Sequence, residues 1–343
     1  MIHILDPTKI ENWDATLAAL PGASFFCTQA WAKVLQASYG YTPLYFARMD
    51  SGAPVAVLPI MEVSSFLTGN RGVSLPFTDY CEPLVPHEQV FYVLFDEAKQ
   101  EAKRRGWKYI DLRMTNGILR KEKPSLFFHG HTLDLGVGQE ELFRQITDAN
   151  RRNIRKAEKC GVEVGIESSL DALREFYPLN CLTRRRHGLP PQPWQFFENV
   201  HREVIAKGKG ITALARHEGK TVSANVYFHF GEKAMFKFGA SDMRLQHLRA
   251  GNLVMWEAIR YYAGKGCKSL CFGRTEPENE GLRRFKLGWG TKETEVTYYR
   301  FDLTSGAYVT EHDNVSPGKR DMLSKLPLPA LKMIGSLLYR HVG

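Results

Sequence analysis

Short alternating runs of apolar and polar residues, broken by glycine-bearing turns, occur at two places in this 343-residue chain and predict β-hairpins. The first is Phe46-Ala47-Arg48-Met49-Asp50-Ser51-Gly52-Ala53-Pro54-Val55-Ala56, and the second is Leu214-Ala215-Arg216-His217-Glu218-Gly219-Lys220-Thr221-Val222-Ser223-Ala224. Each reads as an apolar-Ala-Arg strand end, a polar turn whose glycine tolerates left-handed backbone, and a Val-bearing return strand. A second echo follows in the same order. Leu94 to Arg113 runs through an amphipathic helix into Gly106-Trp107-Lys108-Tyr109-Ile110-Asp111-Leu112, and Leu253 to Arg274 runs through a helix into Gly266-Cys267-Lys268-Ser269-Leu270-Cys271-Phe272. In both, a glycine follows the last helical turn, where a left-handed cap suits it, and a strand begins. Matched elements in one order at similar offsets predict a duplicated α/β unit with mixed sheets, and so two domains.

Between the echoes, Leu142, Phe143, Ile146, Ile154 and Ala157 fall at mostly helical spacing, which predicts a helix or helix pair over Glu141 to Lys159 and a boundary near residue 150. At the far end, Leu326-Pro327-Leu328-Pro329 leads into Ala330 to Tyr339, a helix with one apolar face. Packing against the protein is the expected fate of that face, with a peripheral contact to a membrane surface as the alternative.

Composition narrows the class. Hydrophobic residues make up 43% and charged residues 24%, enough for a core in each half. No apolar stretch is long enough for a spanning helix, and Met1 to Pro7 lacks the basic and apolar regions of a leader. The expected location is the cytoplasm, extending to the inner face of the membrane. The six cysteines, Cys27, Cys81, Cys160, Cys181, Cys267 and Cys271, form no CxxC pair and no zinc-ligand spacing, so free thiols are expected and no metal. The net charge of +9 points to an anionic partner such as a nucleotide cofactor, an envelope precursor, tRNA or a membrane surface, and no DNA-binding pattern accompanies it.

Four constellations carry candidate chemistry. Cys271-Phe272-Gly273-Arg274-Thr275-Glu276 is followed by Gly281-Leu282-Arg283-Arg284-Phe285-Lys286-Leu287-Gly288-Trp289-Gly290, which sets cations among glycines just past a strand end, where α/β sheets hold ligands. On a helix, Arg151, Arg155 and Lys159 share one face of Asn150 to Lys159, with Arg152 and Lys156 on the next, a stripe that suits phosphates or simply a solvated face. Ser74 to Pro83 combines an aromatic pair, Phe77 and Tyr80, with two acids, Asp79 and Glu82, either of which suits a substrate amine or a turn cap. The strand pair around Tyr227 to Asp242 places Lys237 and Ser241 among apolar neighbours. There is no GxSxG elbow, P-loop or HExxH segment.

These residues resemble a known family. Arg152-Asn153-Ile154-Arg155-Lys156-Ala157-Glu158-Lys159-Cys160-Gly161-Val162 is similar to the RxNIRKAxKxGV signature of Fem-type peptidyltransferases. Gly281 to Gly290 is similar to their GLxxFKxGFG motif, with Trp289 in place of Phe. Phe272-Gly273-Arg274-Thr275, Ser74-Leu75-Pro76-Phe77 and Lys237-Phe238-Gly239-Ala240-Ser241 resemble the wider branch of that family. The resemblance implies tandem GNAT-like domains at 1–150 and 151–314, with the segment 315–343 returning to the first. It also implies transfer of an aminoacyl group from aminoacyl-tRNA to an amine of a peptidoglycan or polysaccharide precursor. In that reading Lys286 and Arg274 are catalytic. Arg152, Arg155, Lys156, Lys237, Ser241, Arg284, Trp289, Asp79 and Tyr80 bind substrate, and no cofactor is tightly bound. No heptad arm is present, and Gln246-His247-Leu248-Arg249-Ala250-Gly251 only echoes the pyrophosphate loop of acyl-CoA enzymes, with Arg249 in place of a glycine. The donor, aminoacyl-tRNA or acyl-CoA, therefore stays open. An acyl-CoA N-acetyltransferase acting on an amino sugar, and a catalytically silent double-GNAT scaffold, are the alternatives.

Overall fold

The computed structural model describes residues 1–310 and 317–342. In chain order the elements begin with β1 (Ile2–Leu5), α1 (Trp13–Ala18), α2 (Gln29–Tyr39), β2 (Thr42–Asp50), β3 (Ala53–Val63), β4 (Arg71–Val73), α3 (Glu88–Arg104), β5 (Tyr109–Met114) and β6 (Leu126–Asp134). They continue with α4 (Gln139–Gln145), α5 (Asp148–Lys159), β7 (Glu163–Glu167), α6 (Leu170–Arg186), α7 (Trp194–Val200), β8 (Gly210–His217), β9 (Lys220–Phe230), β10 (Lys233–Ser241) and α8 (Ala250–Gly264). The last are β11 (Ser269–Thr275), α9 (Glu280–Leu287), β12 (Lys292–Asp302), β13 (Ala307–Val309), α10 (Pro317–Ser324) and α11 (Leu328–Leu338). Both predicted hairpins are present, as β2–β3 and β8–β9, and both helix–glycine–strand junctions, with Gly106 at φ 66° and Gly266 at φ 78°.

The chain forms two compact units. Unit 1 is Met1–Phe128, Glu295–Asn314 and Leu337–Gly343; unit 2 is His129–Thr294 and Val315–Ser336. Unit 1 carries the strand order β1-β2-β3-β4-β5-β12, antiparallel except for the β4–β5 pair. Unit 2 repeats the plan as β7-β8-β9-β10-β11-β6, antiparallel except for β10–β11. In each, the crossover between the parallel strands contains the amphipathic helix, α3 or α8, which a parallel pair requires. Phe91, Leu94, Phe95 and Ala98 of α3 pack on Leu44, Phe46, Leu58 and Ile110, and Val254, Met255, Ala258 and Ile259 of α8 pack on Ala213, Ala215, Tyr227 and Leu270.

The sixth strand of each sheet corrects the expected boundary. β6 follows β5 in the chain yet pairs with β11, and β12 follows β11 yet pairs with β5. Each unit takes its last strand from the other repeat's stretch of chain. The division therefore falls at Phe128/His129 rather than near 150, and Glu295–Asn314 belongs to unit 1 rather than to the second domain.

The C-terminal segment differs from expectation too. α10 and most of α11 group with unit 2. A Cβ on Gly335 would lie 2.1 Å from the Pro191 carbonyl oxygen, so α11 docks through a bare backbone contact, and the Lys332 ammonium sits 5.2 Å from the Tyr177 ring. Only the final turn returns to unit 1, where the Tyr41 hydroxyl donates to Tyr339 O at 2.7 Å and Arg71 donates to His341 O at 2.8 Å. Residues 315, 316 and 343 of the C-terminal segment read from sequence lie outside the described residues, as do 311–314 before it. All six cysteines are free. Among the described residues no helix is long and apolar enough to cross a membrane.

Candidate functional site

Unit 2 contains a cavity of about 520 Å³ beside the far end of β10. β10 and β11 pair only at Lys233–Ser269, Ala234–Leu270 and Met235–Cys271. Beyond this the register of β10 against β9 shifts between Phe236 and Phe238, and that of β11 against β6 shifts between Cys271 and Arg274. Such bulges bend a strand and increase its twist. Phe236, Gly239 and Ala240 form part of the wall, and a Cβ on Gly239 would meet the Phe236 ring at 2.5 Å, so glycine is what lets the ring lie there.

Ser223 of β9 and Ser241 of β10 are register partners lining the cavity, with hydroxyls 2.8 Å apart. Ser223 donates to Ala240 O at 3.2 Å, so Ser241 is the donor within the pair and its lone pairs are left for a ligand. Facing them is the start of α8, with Arg249 at φ 58° before it and no side chain capping it. A Cβ on Gly251 would lie 3.6 Å from Ser241 Oγ, so the first-turn N–H groups of this helix stand close to the serine pair. Asn150 fixes the surroundings. Its amide donates to Gly288 O at 2.9 Å and its oxygen accepts from Asn252 Nδ2 at 3.0 Å, tying α5 to α8 and to the end of α9. Asn150 lies inside α5 because Thr147 caps that helix with its side chain.

The lining is cationic on balance. Its one carboxylate, Asp242, accepts from Arg244, which holds its carboxyl below the usual range. Arg186 and Arg249 line the cavity, and among the described residues neither has a carboxylate partner. His187 stays neutral, since burial and then the neighbouring arginines push its pKa down.

Lys286 lies elsewhere in unit 2. Reading α9 from Asn279, whose side chain accepts from Leu282 N at 3.1 Å, Leu282 and Phe285 face the cavity while Lys286 points the other way. Its side chain is 4% exposed, and the ammonium donates to Gly273 O at 3.1 Å and Arg274 O at 2.8 Å, on the bulged end of β11. Beside it His131 is buried, with neither ring nitrogen hydrogen-bonded, and the Thr275 hydroxyl is buried likewise. Burial, and then the Lys286 charge, hold the His131 pKa at about 4. Next to this group Glu293 receives Arg283 in a two-point contact at 2.7 and 2.8 Å and His129 at 3.2 Å.

Of the residues expected at a site, Ser241 alone lines the cavity. Trp289, expected to touch substrate, is a fully buried core residue packed edge-on against Phe285. Lys237 is half-buried on β10 with its ammonium 5.7 Å from the Phe238 ring. Arg152, Arg155, Lys156 and Arg284 are exposed, Arg155 over the Phe143 ring at 6.0 Å, and Arg274 is half-buried. Asp79 and Tyr80 belong to unit 1, where the Asp79 carbonyl accepts from the Tyr298 hydroxyl at 2.8 Å and the Tyr80 ring lies edge-on to Phe26 at 6.5 Å. Sequence reading missed Asn150, Asn225, Asn252, Ser223 and Arg186, whose scattered positions carry no local signal. Arg249 was visible within the Gln246–Gly251 echo.

Comparison with known proteins fits this architecture. Residues 147–293 match the acetyltransferase (GNAT) domain family, so the second half carries an acyltransferase domain. No curated protein matches the chain by sequence. Over 86% of its length the chain is similar in structure to FemX, at 16% identity and a TM-score of 0.70, covering 97% of that chain. It is similar also to a tandem GNAT protein from the clavulanic acid biosynthesis pathway, at 10% identity and a TM-score of 0.57 over 88% of this chain and 98% of that one. L-PGS from Bacillus licheniformis is a further likeness, at 11% identity and a TM-score of 0.55 over 94% and 98%. The fold is thus the tandem GNAT fold shared with FemX.

Proposed function

We propose that the chain is an N-acyltransferase that takes an activated acyl or aminoacyl donor into the unit 2 cavity and passes the acyl group to an amine of a cell-envelope precursor. The cavity carries the reading. It lies within the GNAT domain, and it offers an uncapped helix start and two arginines with no carboxylate partner among the described residues. That chemistry suits a phosphate-bearing donor. In the reaction the amine nitrogen forms the new C–N bond, the donor's C–O or C–S bond breaks, and the amine proton leaves with the departing oxygen or sulfur. The enzyme's part is to hold the two partners together and to stabilise the charge on the carbonyl oxygen.

The favoured donor is aminoacyl-tRNA. The helix that lends Asn150 and Asn153 to the cavity also presents Arg152, Arg155 and Lys156 to solvent, a stripe suited to an extended polyanion. Lys286 acts in this reading as a positioning residue: by holding the Gly273 and Arg274 carbonyls it fixes the bulge at which β11 leaves β10.

The test is donor binding and product mass. The protein is melted with acetyl-CoA and with charged tRNA, then incubated with each donor and an envelope-precursor extract. Stabilisation by charged tRNA and an aminoacyl mass increment are expected, with both lost in Arg249→Glu. Stabilisation by acetyl-CoA alone would move the donor assignment. No stabilisation and no increment with either donor would reject the function.

A further inference from the structure

Unit 1 ends in an exposed apolar tip that the acyl-transfer reading does not use. The loop between β3 and β4 places Phe66 at 86% and Leu67 at 57% exposure, adjacent in sequence and facing water. The final turn of the described chain is fastened to this loop. Ser65 Oγ lies 3.0 Å from His341 Nδ1, Thr68 Oγ1 donates to His341 O at 3.2 Å, and the Phe66 and His341 rings meet edge-on at 4.8 Å. That turn is followed by the exposed side chain of Val342. Within the loop, Ser65 Oγ also accepts from Leu67 N and Thr68 N, so the apolar pair is held out by hydrogen bonds rather than hanging from a loose strand of chain.

The two segments that form the tip carry charge of one sign. Neither Ser64–Arg71 nor Leu337–Val342 contains an aspartate or glutamate. Arg340 is exposed beside the tip, and the exposed Lys108 passes within van der Waals distance of Gly69. Protruding apolar side chains among cations complement a surface that is negative outside and apolar beneath, which describes a bilayer containing anionic lipid. A protein partner would more commonly meet a packed patch with a polar rim of both signs.

We infer that Phe66, Leu67 and the C-terminal turn form a peripheral docking tip for an anionic membrane surface, with Phe66 and Leu67 entering the headgroup layer and Arg340 and Lys108 pairing with lipid phosphates. The proposal stands independently of the acyl-transfer reading. Leu331 and Gly335 of the C-terminal helix are spent on docking to unit 2, while Met333 and Leu337 of the same helix are exposed.

The test is sedimentation of the full chain with vesicles of phosphatidylcholine alone and of phosphatidylcholine mixed with phosphatidylglycerol. Binding to the phosphatidylglycerol vesicles is expected, weakening as salt is raised. The Phe66→Ser, Leu67→Ser double variant should bind at least about tenfold more weakly, as burying either side chain accounts for that much. Its melting temperature should be unchanged because both groups are exposed. Arg340→Glu should weaken binding on the mixed vesicles alone. The proposal is overturned if the wild type stays in the supernatant with mixed vesicles, or if the double variant sediments equally well. It is overturned also if Phe66 and Leu67 prove to drive self-association in vesicle-free buffer without vesicle binding.

Discussion

Replacing Lys286 by methionine keeps the length and apolar stem of the side chain and removes its ammonium. The two hydrogen bonds lost, at 3.1 and 2.8 Å to Gly273 O and Arg274 O, each join a charged donor to a carbonyl. Bonds of that kind contribute about 1.5–3 kcal/mol each, and abolishing the cost of holding an ammonium in the interior offsets part of the loss. A net destabilisation of about 2–4 kcal/mol follows, which lowers the melting temperature by about 3–6 °C for a protein of this size. Lys286→Arg returns N–H donors to the same carbonyls and should recover roughly half of the loss or more. The assay is thermal unfolding of the three proteins beside acyl transfer measured by product mass. If Lys286 works by fixing the β11 bulge, turnover falls in the methionine variant and is partly rescued by arginine, in step with stability. A methionine variant melting within about 1 °C of the wild type would refute the reasoning. If such a variant were also inactive, the ammonium would be acting on the reacting group itself.

Other outcomes follow from the same geometry. His131 is held neutral in the folded protein with a pKa of about 4, mainly by burial, against about 6.5 in the unfolded chain. The unfolded state therefore binds more protons between those values. The stability His131 supports is complete above about pH 6.5 and is lost as pH falls toward 4, a loss of about 2–3 kcal/mol at most. Melting curves across that range should show a slope that His131→Phe flattens; an unchanged slope would count against the buried, neutral assignment. In unit 1, Arg300 and Asp111 form a buried pair at 2.8 and 3.0 Å, so Asp111→Ala strands a guanidinium and should cost about 3–5 kcal/mol by urea unfolding. Expressed alone, residues 147–293 lack β6 and leave β11 without that partner, so this fragment should unfold at a lower urea concentration than one that begins at residue 124; equal midpoints would contradict the exchanged-strand account.

Local order was legible because local physics sets it. Alternation around Phe46–Ala56 and Leu214–Ala224 marks hairpins, and a glycine after the last helical turn marks Gly106 and Gly266, since only glycine takes left-handed backbone there without strain. From these came the duplication and the fold class. The motif at Gly281–Gly290 drew attention to the right helix, but its meaning was set by which way α9 turns: Leu282 and Phe285 line the cavity, Lys286 braces a strand, and Trp289 fills the core.

Tertiary structure alone decided the rest. That β6 pairs with β11 and β12 with β5 is a choice between partners of similar composition, made by packing across more than a hundred residues of chain and invisible to any local pattern. The cavity has the same origin. Asn150, Ser223, Ser241, Asn252 and Arg186 are unremarkable where each stands in the sequence, and they become a site because folding brings α5, α6, β9, β10 and the start of α8 around one space. Periodicity records which face of an element is buried; which elements meet, and what their polar ends enclose, depends on contacts whose energy exists only once the chain has folded.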